Sequence, residues 1–386
     1  MDAKEAARER IDRERDGLLA LSHRLHANPE IAYEEEQAAT WLAETLDAAG
    51  FSVNTGTAGL PTAFDATYGS GPLRIGICAE FDALPSVGHA CGHNIIAASS
   101  VGAALALSSV ADDVGITVTV LGTPAEEYIK SGGKITMLEA GAFDGLHAAI
   151  MAHPMPDDVA QMPIIAAAGF EVTYRGKEAH ASASPDQGIN AADAMTIAQT
   201  AIGLLRPTLR STDRVHGIVT KGGEAFNIIP ALVTGDFGVR ALTLDDLDDV
   251  YRKVMRAFEA GALATGAALE VDGGKKPFAH MEHDSELSAL YQRNAEQLGR
   301  RFITPEQAWK RPASSDMGNV SLALPSIHPG VGIDSKGAVN HQPDFTAACA
   351  TPSADAAVYD AALSLAWTAI DAAEPGVRER LMTAAH

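Results

Sequence analysis

The segment LRIGICAEFDALPSVGHACGHNIIAASSVGAALAL, at residues 73–107, decides the fold. It opens with a short apolar run, Leu73–Ala79, which predicts a buried strand. The uncharged run from Ile95 to Val110 has the length of a helix, and its lack of charge predicts that this helix is buried. That run is too short to span a bilayer. Between the strand and the helix lies a loop rich in chemically active side chains.

Strands and helices continue to alternate on both sides of this segment. The chain up to about Gly50 has apolar residues three and four apart and is predicted to be helical. A second strand is predicted at Ile116–Gly122, a helix from about Gly132 to Ala140, and a third strand at Ala148–Ala152. This alternation predicts an α/β catalytic domain with a mostly parallel sheet flanked by helices.

The pattern changes near Ala166, where a strand-helix-strand-strand-helix-strand order begins. That order is typical of a small, self-contained α+β domain of the split-βαβ type. After Gly273 the α/β character resumes, so we expect a lid domain at 167–274 inserted into a discontinuous catalytic domain at 1–166 and 275–386. The six predicted elements are Gly169–Gly176, Gly188–Leu205, Val215–Lys221, Leu232–Leu242, Leu244–Gly261 and Ala267–Val271.

The composition is that of a soluble enzyme without a nucleic-acid partner. The 386 residues include 29 Lys+Arg and 50 Asp+Glu, and the net charge of −21 repels phosphate backbones. The opening segment is charged throughout and lacks the apolar core of a signal peptide. The three cysteines do not make a disulfide framework. We therefore expect a cytoplasmic protein that binds neither nucleic acid nor a membrane.

The loop after the first strand carries a thiol and an imidazole two residues apart, Cys91 and His93. Both can point at one borderline-soft cation, and Gly92 between them removes a side chain that would crowd them. The start of the following helix should help to keep Cys91 as a thiolate. The alternative interpretation is a buried cysteine beside a surface histidine.

Two adjacent carboxylates, Glu126 and Glu127, follow the second predicted strand and a Gly-Thr-Pro turn. Adjacent side chains here cannot face the same way, so one can bind metal while its neighbour faces a bound water. That water needs a base, and a carboxylate beside cations is suited to the role. The alternative is an acidic loop in an acidic protein.

Single histidines carry weaker information. His153 follows the third predicted strand, at the kind of strand end where ligands gather in α/β sheets, and His341 lies in a loop-like segment. Either residue alone would be interpreted as structural. Seven others are interpreted as lying outside the site: His23, His26, His147, His216, His280, His283 and His328.

Taken in order, these clusters resemble the family of di-metal aminoacylases, indole-acetyl-amino-acid hydrolases and aminobenzoyl-glutamate hydrolases, and within it the Cys-Gly-His branch. The resemblance covers nearly the whole chain, and so many segments in the same order leave little room for chance. The segments that carry it are Leu25–Glu30, Asp82–Pro85, Ala90–His93, Pro124–Glu127, Gly176–His180, Phe226–Pro230, Arg240, Ser314–Asn319 and the loop of His341.

The resemblance implies a role for each matching residue. It implies that Glu126 is the general base, that Asp82 orients a ligand imidazole, and that His180 polarises the scissile carbonyl, in many relatives across a dimer interface. It also implies that Asn227 and Arg240 grip the substrate's carbonyl and free carboxylate, the latter suited to the guanidinium fork. The implied metal ligands are Cys91, His93, Glu127, His153 and His341.

The implied cofactors are two divalent cations per chain, and the Cys and His ligands admit Zn, Mn, Ni or Co. The implied reaction is hydrolysis of the amide bond in a small N-acyl or aminobenzoyl-type amino acid or a dipeptide. The cations would lower the pKa of a water, and Glu126 would take its proton and pass it to the leaving amine. The alternatives are a dipeptidase or carboxypeptidase on dipeptides, for example of β-alanyl type, and a catalytically silent conjugate-binding protein. The presence of five ligands together with a general base argues against a catalytically silent protein.

Three residues depart from the pattern of many relatives. Glu80 stands where a ligand histidine is common, which favours the Cys-Gly-His branch rather than removing the site. Asn94 and His147 stand where the hormone-conjugate hydrolases usually carry Asp, so the chain looks more like the aminobenzoyl-glutamate and β-alanyl-dipeptide hydrolases.

The lid has few aromatic residues and is expected to expose a sheet edge, so we expect a homodimer built through it.

Overall fold

The computed structural model describes residues 2–384, which form two compact units. Each unit has a hydrophobic core of its own. Among the described residues, no helix is both long enough and apolar enough to cross a membrane. The bounds are Met1–Tyr128, Gly132–Ile164 and Met281–His386 for the first unit, and Ile129–Ser131 with Ile165–His280 for the second.

Within residues 2–384 the strands fall into three sheets, of six, four and two strands. The two longest strands of the six-stranded sheet, Leu73–Glu80 and Ile116–Thr123, are buried almost without alternation because both faces of this sheet are covered. In chain order the strands are β1 (Ser52–Thr55), β2 (Phe64–Tyr68), β3 (Leu73–Glu80), β4 (Ile116–Thr123), β5 (Ala148–Ile150), β6 (His153–Met155), β7 (Ala166–Arg175), β8 (Arg214–Lys221), β9 (Leu232–Ala241), β10 (Ala268–Gly273), β11 (Ser326–Ile327) and β12 (Gly330–Gly332).

The helices lie in both units, and short 3₁₀ turns accompany them. In chain order the α-helices are α1 (Ala3–Ala27), α2 (Glu36–Ala48), α3 (His93–Ser108), α4 (Ala111–Val114), α5 (Gly133–Glu139), α6 (Ala191–Leu205), α7 (Leu244–Thr265), α8 (Ser285–Gln297), α9 (Pro305–Ala308), α10 (Met317–Ser321), α11 (Pro343–Ala348), α12 (Pro352–Ala372) and α13 (Pro375–Ala384).

The six-stranded sheet of the first unit has the order β1-β2-β4-β3-β5-β11. Strands β4, β3, β5 and β11 run parallel, whereas β1 and β2 form an antiparallel edge. Helix α3 is buried from His93 to Leu107 and packs against α1, α12 and β3. The mostly parallel sheet flanked by helices confirms the fold class predicted from the sequence.

The first unit differs from the sequence prediction at its beginning, where one continuous helical segment was expected up to Gly50. Helix α1 instead ends at Ala27, and α2 begins at Glu36. The break follows from Pro29, which has no N–H to donate and disfavours helical geometry in the residue before it. Asn28 accordingly leaves the helical region, with φ −131° and ψ 67°. The intervening loop returns to the candidate site described below.

The second unit has the predicted order β7-α6-β8-β9-α7-β10, and the expected lid bounds, 167–274, lie within its longer stretch. Its sheet has the order β10-β7-β9-β8 with antiparallel neighbours, so β9 lies between β7 and β8 as the split-βαβ pattern requires. Phe170, Phe237 and Phe258 pack against one another in the core between sheet and helices. Strand β8 is an edge strand, and most of its side chains are exposed.

Candidate active site

The parallel strands of the first unit bring the predicted site residues to one edge of the sheet. Strand β3 ends at Glu80, directly beside Thr123 at the end of β4. The segments that follow therefore leave the sheet at the same edge, one carrying Asp82 and the other carrying Glu126 and Glu127. Because the carboxyl ends of parallel strands face the same way, the two segments meet although they are more than forty residues apart in sequence: the Asp82 side chain accepts a hydrogen bond from the Glu127 backbone.

Asp82 connects the two loops. Its Oδ1 lies 2.9 Å from Nδ1 of His93, and its Oδ2 accepts a 2.9 Å hydrogen bond from the backbone N–H of Glu127. Asp82 is buried; burial alone would raise its pKa, but the adjacent His93 holds that pKa below the usual value. The contact fixes the His93 ring so that its other nitrogen, Nε2, faces away from Asp82. This geometry is the one expected of a carboxylate that orients a ligand imidazole.

Gly92 allows the Cys91 loop to approach the His153 segment. Its φ is 75°, and a Cβ at this position would lie 2.4 Å from Cγ of Pro154. Only glycine adopts this backbone conformation without strain and leaves room for the neighbour. The loop of His341 is tied in from the other side, because its backbone N–H donates a 3.0 Å hydrogen bond to the carbonyl of Ala90.

The structure brings the five predicted metal ligands together in two groups that share Cys91. In each group, one candidate ligand atom from every side chain lies within 4.8 Å of the others. The thiol therefore stands where a sulfur atom could bridge two cations. The first group is Cys91, His93 and His153, and the second is Cys91, Glu127 and His341.

The residues of this site fit divalent cations, and two of the predicted ligands, His93 and Glu127, each have a buried ligand atom without a partner among the described residues. Glu80 Oε2, His93 Nε2 and Glu127 Oε1 are buried, and none has a hydrogen-bond partner among the described residues. His93 Nε2 and Glu80 Oε2 lie 3.5 Å apart. If the His93 proton is on Nδ1, where Asp82 accepts it, then Nε2 carries a lone pair and faces a carboxylate oxygen. Two such acceptors repel each other unless a positive charge lies between them. Burial opposes a charged ring, but Asp82 and Glu80 raise the pKa of His93 well above its usual value, so without metal a proton on Nε2 supplies that charge and a cation would replace it.

Without a cation, the pKa of the Cys91 thiol is raised, whereas the start of the following helix was expected to lower it. Burial and the charges of Glu127 and Glu126 raise this pKa well above its usual value. Helix α3 begins at His93, so Cys91 precedes even the capping residue Gly92, and the neighbouring carboxylates outweigh the helix dipole. Thiolates are the form that binds metal, and a bound cation supplies the positive charge that the helix does not.

The two adjacent glutamates point to different neighbours, as their adjacency predicts. Glu127 belongs to the Cys91 and His341 group, and its Oε2 lies 3.7 Å from Nε2 of His341. Glu126 instead joins Glu80 and His93, with its Oε2 3.8 Å from Nε2 of His93. Burial and the charges of Glu80 and Glu127 raise the pKa of Glu126 well above its usual value. A carboxyl group with a raised pKa is suited to accept and return a proton.

Sequence reasoning did not find a buried ion triad behind the site. Lys134 Nζ lies 2.6 Å from Glu80 Oε1 and 2.6 Å from Asp316 Oδ1, and all three side chains are fully buried. Burial opposes the charged ammonium, but Asp316 and Glu80 raise the pKa of Lys134 well above its usual value. Asp316 lies in one of the family-like segments, whereas nothing in the sequence marked Lys134 as its partner.

His328, which the sequence interpretation placed outside the site, lies beside the predicted ligand His153. Its ring centroid lies 5.5 Å from that of His153, and the residue is fully buried. Burial and the charge of His153 lower its pKa well below the usual value, so the ring is neutral at neutral pH. Neither ring nitrogen has a hydrogen-bond partner within residues 2–384. Its proximity depends on the strands β11 and β12 that flank it, which were too short to recognise in the sequence.

The other three predicted residues, His180, Asn227 and Arg240, belong to the second unit. His180 and Asn227 lie in neighbouring segments, because the N–H of Ala181 donates to the Asn227 carbonyl at 3.0 Å. Both side chains are exposed. The N–H groups of Ser182 and Ala183 donate to Nδ1 of His180 at 3.2 and 3.1 Å, so a neutral His180 ring carries its proton on Nε2. Arg240 lies in β9, paired with β7 and β8.

Comparison with known proteins supports both the family resemblance and the fold class expected from the sequence. The chain is 39% identical over 384 residues to the "Xaa-Arg dipeptidase" of Mus musculus, covering 95% of this chain and 88% of that protein. It is 29% identical to one of the subunits of the "p-aminobenzoyl-glutamate hydrolase" of Escherichia coli strain K12, covering 77% of this chain and 64% of that protein. The crystal structure of a "dinuclear metal binding peptidase from M20 family" of Bacillus subtilis shares the fold with a TM-score of 0.63 and 23% identity, covering 92% of this chain and 98% of that one.

The family profile covers the part of the chain that holds the candidate ligands. It is described as "Peptidase family M20/M25/M40", and it matches residues 77–363. The expected resemblance to the di-metal hydrolases, the aminobenzoyl-glutamate hydrolases among them, is thereby confirmed. The chain belongs to peptidase family M20/M25/M40 and is a metal-dependent hydrolase of amide bonds.

Proposed function

We propose that this enzyme is a dipeptidase that prefers dipeptides with a cationic C-terminal residue. The observation that carries the proposal is the joint presence of two ligand groups sharing Cys91 and a separate buried carboxyl group, Glu126. The preference is suggested by the 39% identical relative named "Xaa-Arg dipeptidase". The net charge of −21 supports it, because an acidic surface attracts cationic substrates and repels acidic ones.

Cys91, His93 and His153 would hold one divalent cation, and Cys91, Glu127 and His341 would hold a second. Zinc and manganese suit this mixed set of sulfur, nitrogen and oxygen ligands, as do nickel and cobalt. Bound there, the cations supply Lewis acidity, which polarises a carbonyl and lowers the pKa of a water. A protein that only bound amino-acid conjugates would not require the additional carboxyl group of Glu126.

The proposed work of the side chains is proton transfer and positioning. Glu126 accepts the proton of the attacking water and returns it to the amine that leaves. Asp82 holds the His93 ring and the Glu127 backbone, so that both ligands keep their orientation. His180, whose Nε2–H is free to donate when Nδ1 accepts, stabilises the developing oxyanion. Asn227 and Arg240 bind the carbonyl and the free carboxylate of the substrate.

We further propose a cytoplasmic homodimer formed through the second unit. Strand β8 is an edge strand, and Ile218 and Val219 on it are 64% and 42% exposed. The nearby segment after β8 carries Phe226, whose side chain is fully exposed. A twofold partner would cover this apolar edge and satisfy its backbone groups.

The test of the function is a turnover assay with matched substrates. Ala-Arg, Ala-Lys, Ala-Ala and Ala-Glu differ only in the C-terminal residue, while N-acetyl-Arg and p-aminobenzoyl-glutamate represent the other hydrolase types. We expect the metal-loaded enzyme to release free amino acid fastest from Ala-Arg and Ala-Lys, and chelator-treated enzyme to release none. A higher kcat/KM on p-aminobenzoyl-glutamate would assign the enzyme to the second type of relative. Absence of turnover on the whole panel, with metals bound, would contradict the proposal.

A further inference from the structure

Glu35 is a buried carboxylate for which the metal site has no direct use. It directly precedes α2, and its side chain is fully buried. Carboxylates are almost never fully buried unless other groups satisfy them. Three neutral donors do so here. Oε1 accepts hydrogen bonds from the N–H groups of Ala125 at 2.8 Å and Tyr33 at 2.9 Å, and Oε2 accepts one from Thr62 Oγ1 at 2.9 Å.

The Ala125 contact is the one that matters for catalysis. Ala125 directly precedes Glu126, is fully buried, and has a φ of 58°. This left-handed conformation is unfavourable for a residue with a Cβ, so it persists only where the surroundings impose it. The Ala125 peptide sets the direction in which the chain continues, and hence where the Glu126 carboxyl group lies. Glu35 grips that peptide by its N–H.

The segment around Glu35 is fixed to the site at further points. The carbonyl of Glu30 accepts a 2.8 Å hydrogen bond from the N–H of Ala83, the residue after Asp82. The Tyr33 ring packs edge-on against Tyr128, with centroids 5.7 Å apart. The loop between α1 and α2 is therefore fastened to both loops that carry the candidate catalytic groups.

We propose that Glu35 is a positioning residue that holds the Ala125 peptide in its left-handed conformation and thereby places the Glu126 carboxyl group for proton transfer. The inference rests on the proposed role of Glu126. It assigns no contact between Glu35 and the substrate or the metals. Under this proposal, the position of the Glu126 carboxyl group depends on Glu35, a carboxylate 91 positions earlier in the chain.

Glu35 does not need to be charged to hold the Ala125 peptide. Burial and the charge of Asp82 raise the pKa of Glu35 to about 7. A protonated Glu35 still accepts from Ala125 and Tyr33 through Oε1, while the Thr62 hydroxyl turns from donor to acceptor. Gln has nearly the same shape and can make hydrogen bonds to the same three partners, with its Nε2 donating to the Thr62 hydroxyl. The proposal therefore predicts that Glu35→Gln rescues what Glu35→Ala loses.

The experiment compares Glu35→Ala, Glu35→Gln and Glu30→Ala as purified, metal-loaded enzymes. Glu30 is the matched control, because its carboxylate accepts from the Gln37 and Ala38 N–H groups at the start of α2. It lies in the same loop, but its side chain does not hold the Ala125 peptide. We measure kcat, KM, bound metal and melting temperature for each. Misplacing a catalytic group by about 1 Å costs roughly 10²-fold in rate, which sets the scale of the expected effect.

We expect Glu35→Ala to lower kcat by roughly 10-fold to 10²-fold, with KM changed less than about threefold and two metals still bound. Glu35→Gln should stay within about threefold of wild type in kcat, and so should Glu30→Ala, although both Ala variants melt at lower temperature. A merely structural role would lower the melting temperature of Glu35→Ala and leave the kcat of the folded enzyme unchanged. That result would overturn the proposal. An equal loss of kcat in Glu35→Gln would also overturn it, as would a loss of bound metal in proportion to the loss of activity.

If Glu35→Ala does not fold, Thr62→Val decides the question. It removes the donor to Oε2 with little change of shape, and we expect a smaller fall in kcat with the metals retained. An unchanged kcat in a folded Thr62→Val enzyme, together with a lowered kcat in Glu35→Gln, would overturn the proposal that Glu35 positions the Ala125 peptide. The Glu126→Gln variant keeps the two hypotheses apart. If it retains turnover, the proposed role of Glu126 fails and the role of Glu35 fails with it, whereas loss of turnover in Glu126→Gln but not in Glu35→Ala removes only the role of Glu35.

Discussion

Replacing Lys134 by Met should destabilise the first unit strongly, because it removes the cation from a fully buried triad. Lys134 Nζ is 2.6 Å from oxygens of both Glu80 and Asp316, and none of the three side chains is exposed. Breaking a buried ion pair by removing one partner costs about 3–5 kcal/mol, because the remaining charge stays buried without compensation. At roughly 2–4 °C per kcal/mol for a unit of this size, the melting temperature should fall by about 6–20 °C.

The same substitution should show a defined dependence on pH. Burial raises the pKa of Asp316 and Lys134 opposes that rise, so removing Lys134 lets the folded-state pKa climb further above the unfolded value. A group whose folded pKa is raised destabilises the fold above its unfolded pKa, where the unfolded chain is ionised. The deficit of Lys134→Met should therefore be largest near pH 8 and shrink as the pH falls toward about 4, where the Asp316 carboxyl group is protonated in the folded protein.

Thermal and urea unfolding of metal-free protein at several pH values measures this deficit. The control is Lys336→Met, since Lys336 pairs with Asp334 at the surface with 85% of its side chain exposed. Exposed pairs contribute little, so the control should melt like wild type. A Lys134→Met enzyme that melts like the Lys336→Met control, or whose deficit grows as the pH falls, would refute the reasoning about the triad.

Three further predictions concern the site itself. Glu126→Gln should keep two metals and lose roughly 10²–10⁴-fold in turnover, whereas Glu127→Gln should bind less metal, as measured by metal analysis beside a dipeptide assay. Gly92→Ala should also lose metal, because its Cβ would lie 2.4 Å from Pro154 Cγ, and full metal content would show that the loop adapts. His180→Ala should retain both metals and lose roughly 10²–10³-fold in turnover. If His180 acts across a dimer, mixing that variant with Glu126→Gln should restore activity, and no gain on mixing would contradict it.

The elements that the sequence predicted are those whose pattern is local. The buried strand β3, the apolar helix α3 and the βαββαβ order of the second unit follow from runs of apolar residues, and all are present. The break between α1 and α2 also has a local cause, Pro29, but the apolar spacing on both sides obscured it. The short strands β11 and β12 have two and three residues, too few to create a recognisable period.

The candidate ligands could be predicted because the segments that carry them, taken in order, resemble a known family, whereas His153 or His341 alone would have been interpreted as structural. The groups that support them could not, because their partners are remote in sequence. Lys134 is 54 and 182 positions from the two carboxylates it joins, and its type alone does not distinguish it from a surface lysine. Glu35 binds two backbone N–H groups, which carry no sequence identity at all. His328 becomes relevant only through the fold that brings it to His153.

The central claim is that Cys91 is shared by two cations while Glu126 binds neither. Anomalous diffraction from a crystal of the metal-loaded enzyme tests it most directly. We expect two metal peaks per chain, one among Cys91, His93 and His153 and the other among Cys91, Glu127 and His341. Bond lengths should be roughly 2.3 Å to sulfur and 2.0–2.2 Å to nitrogen and oxygen if the metal is zinc. A single peak, a peak bonded to Glu126, or two peaks of which Cys91 binds only one or neither would contradict this claim.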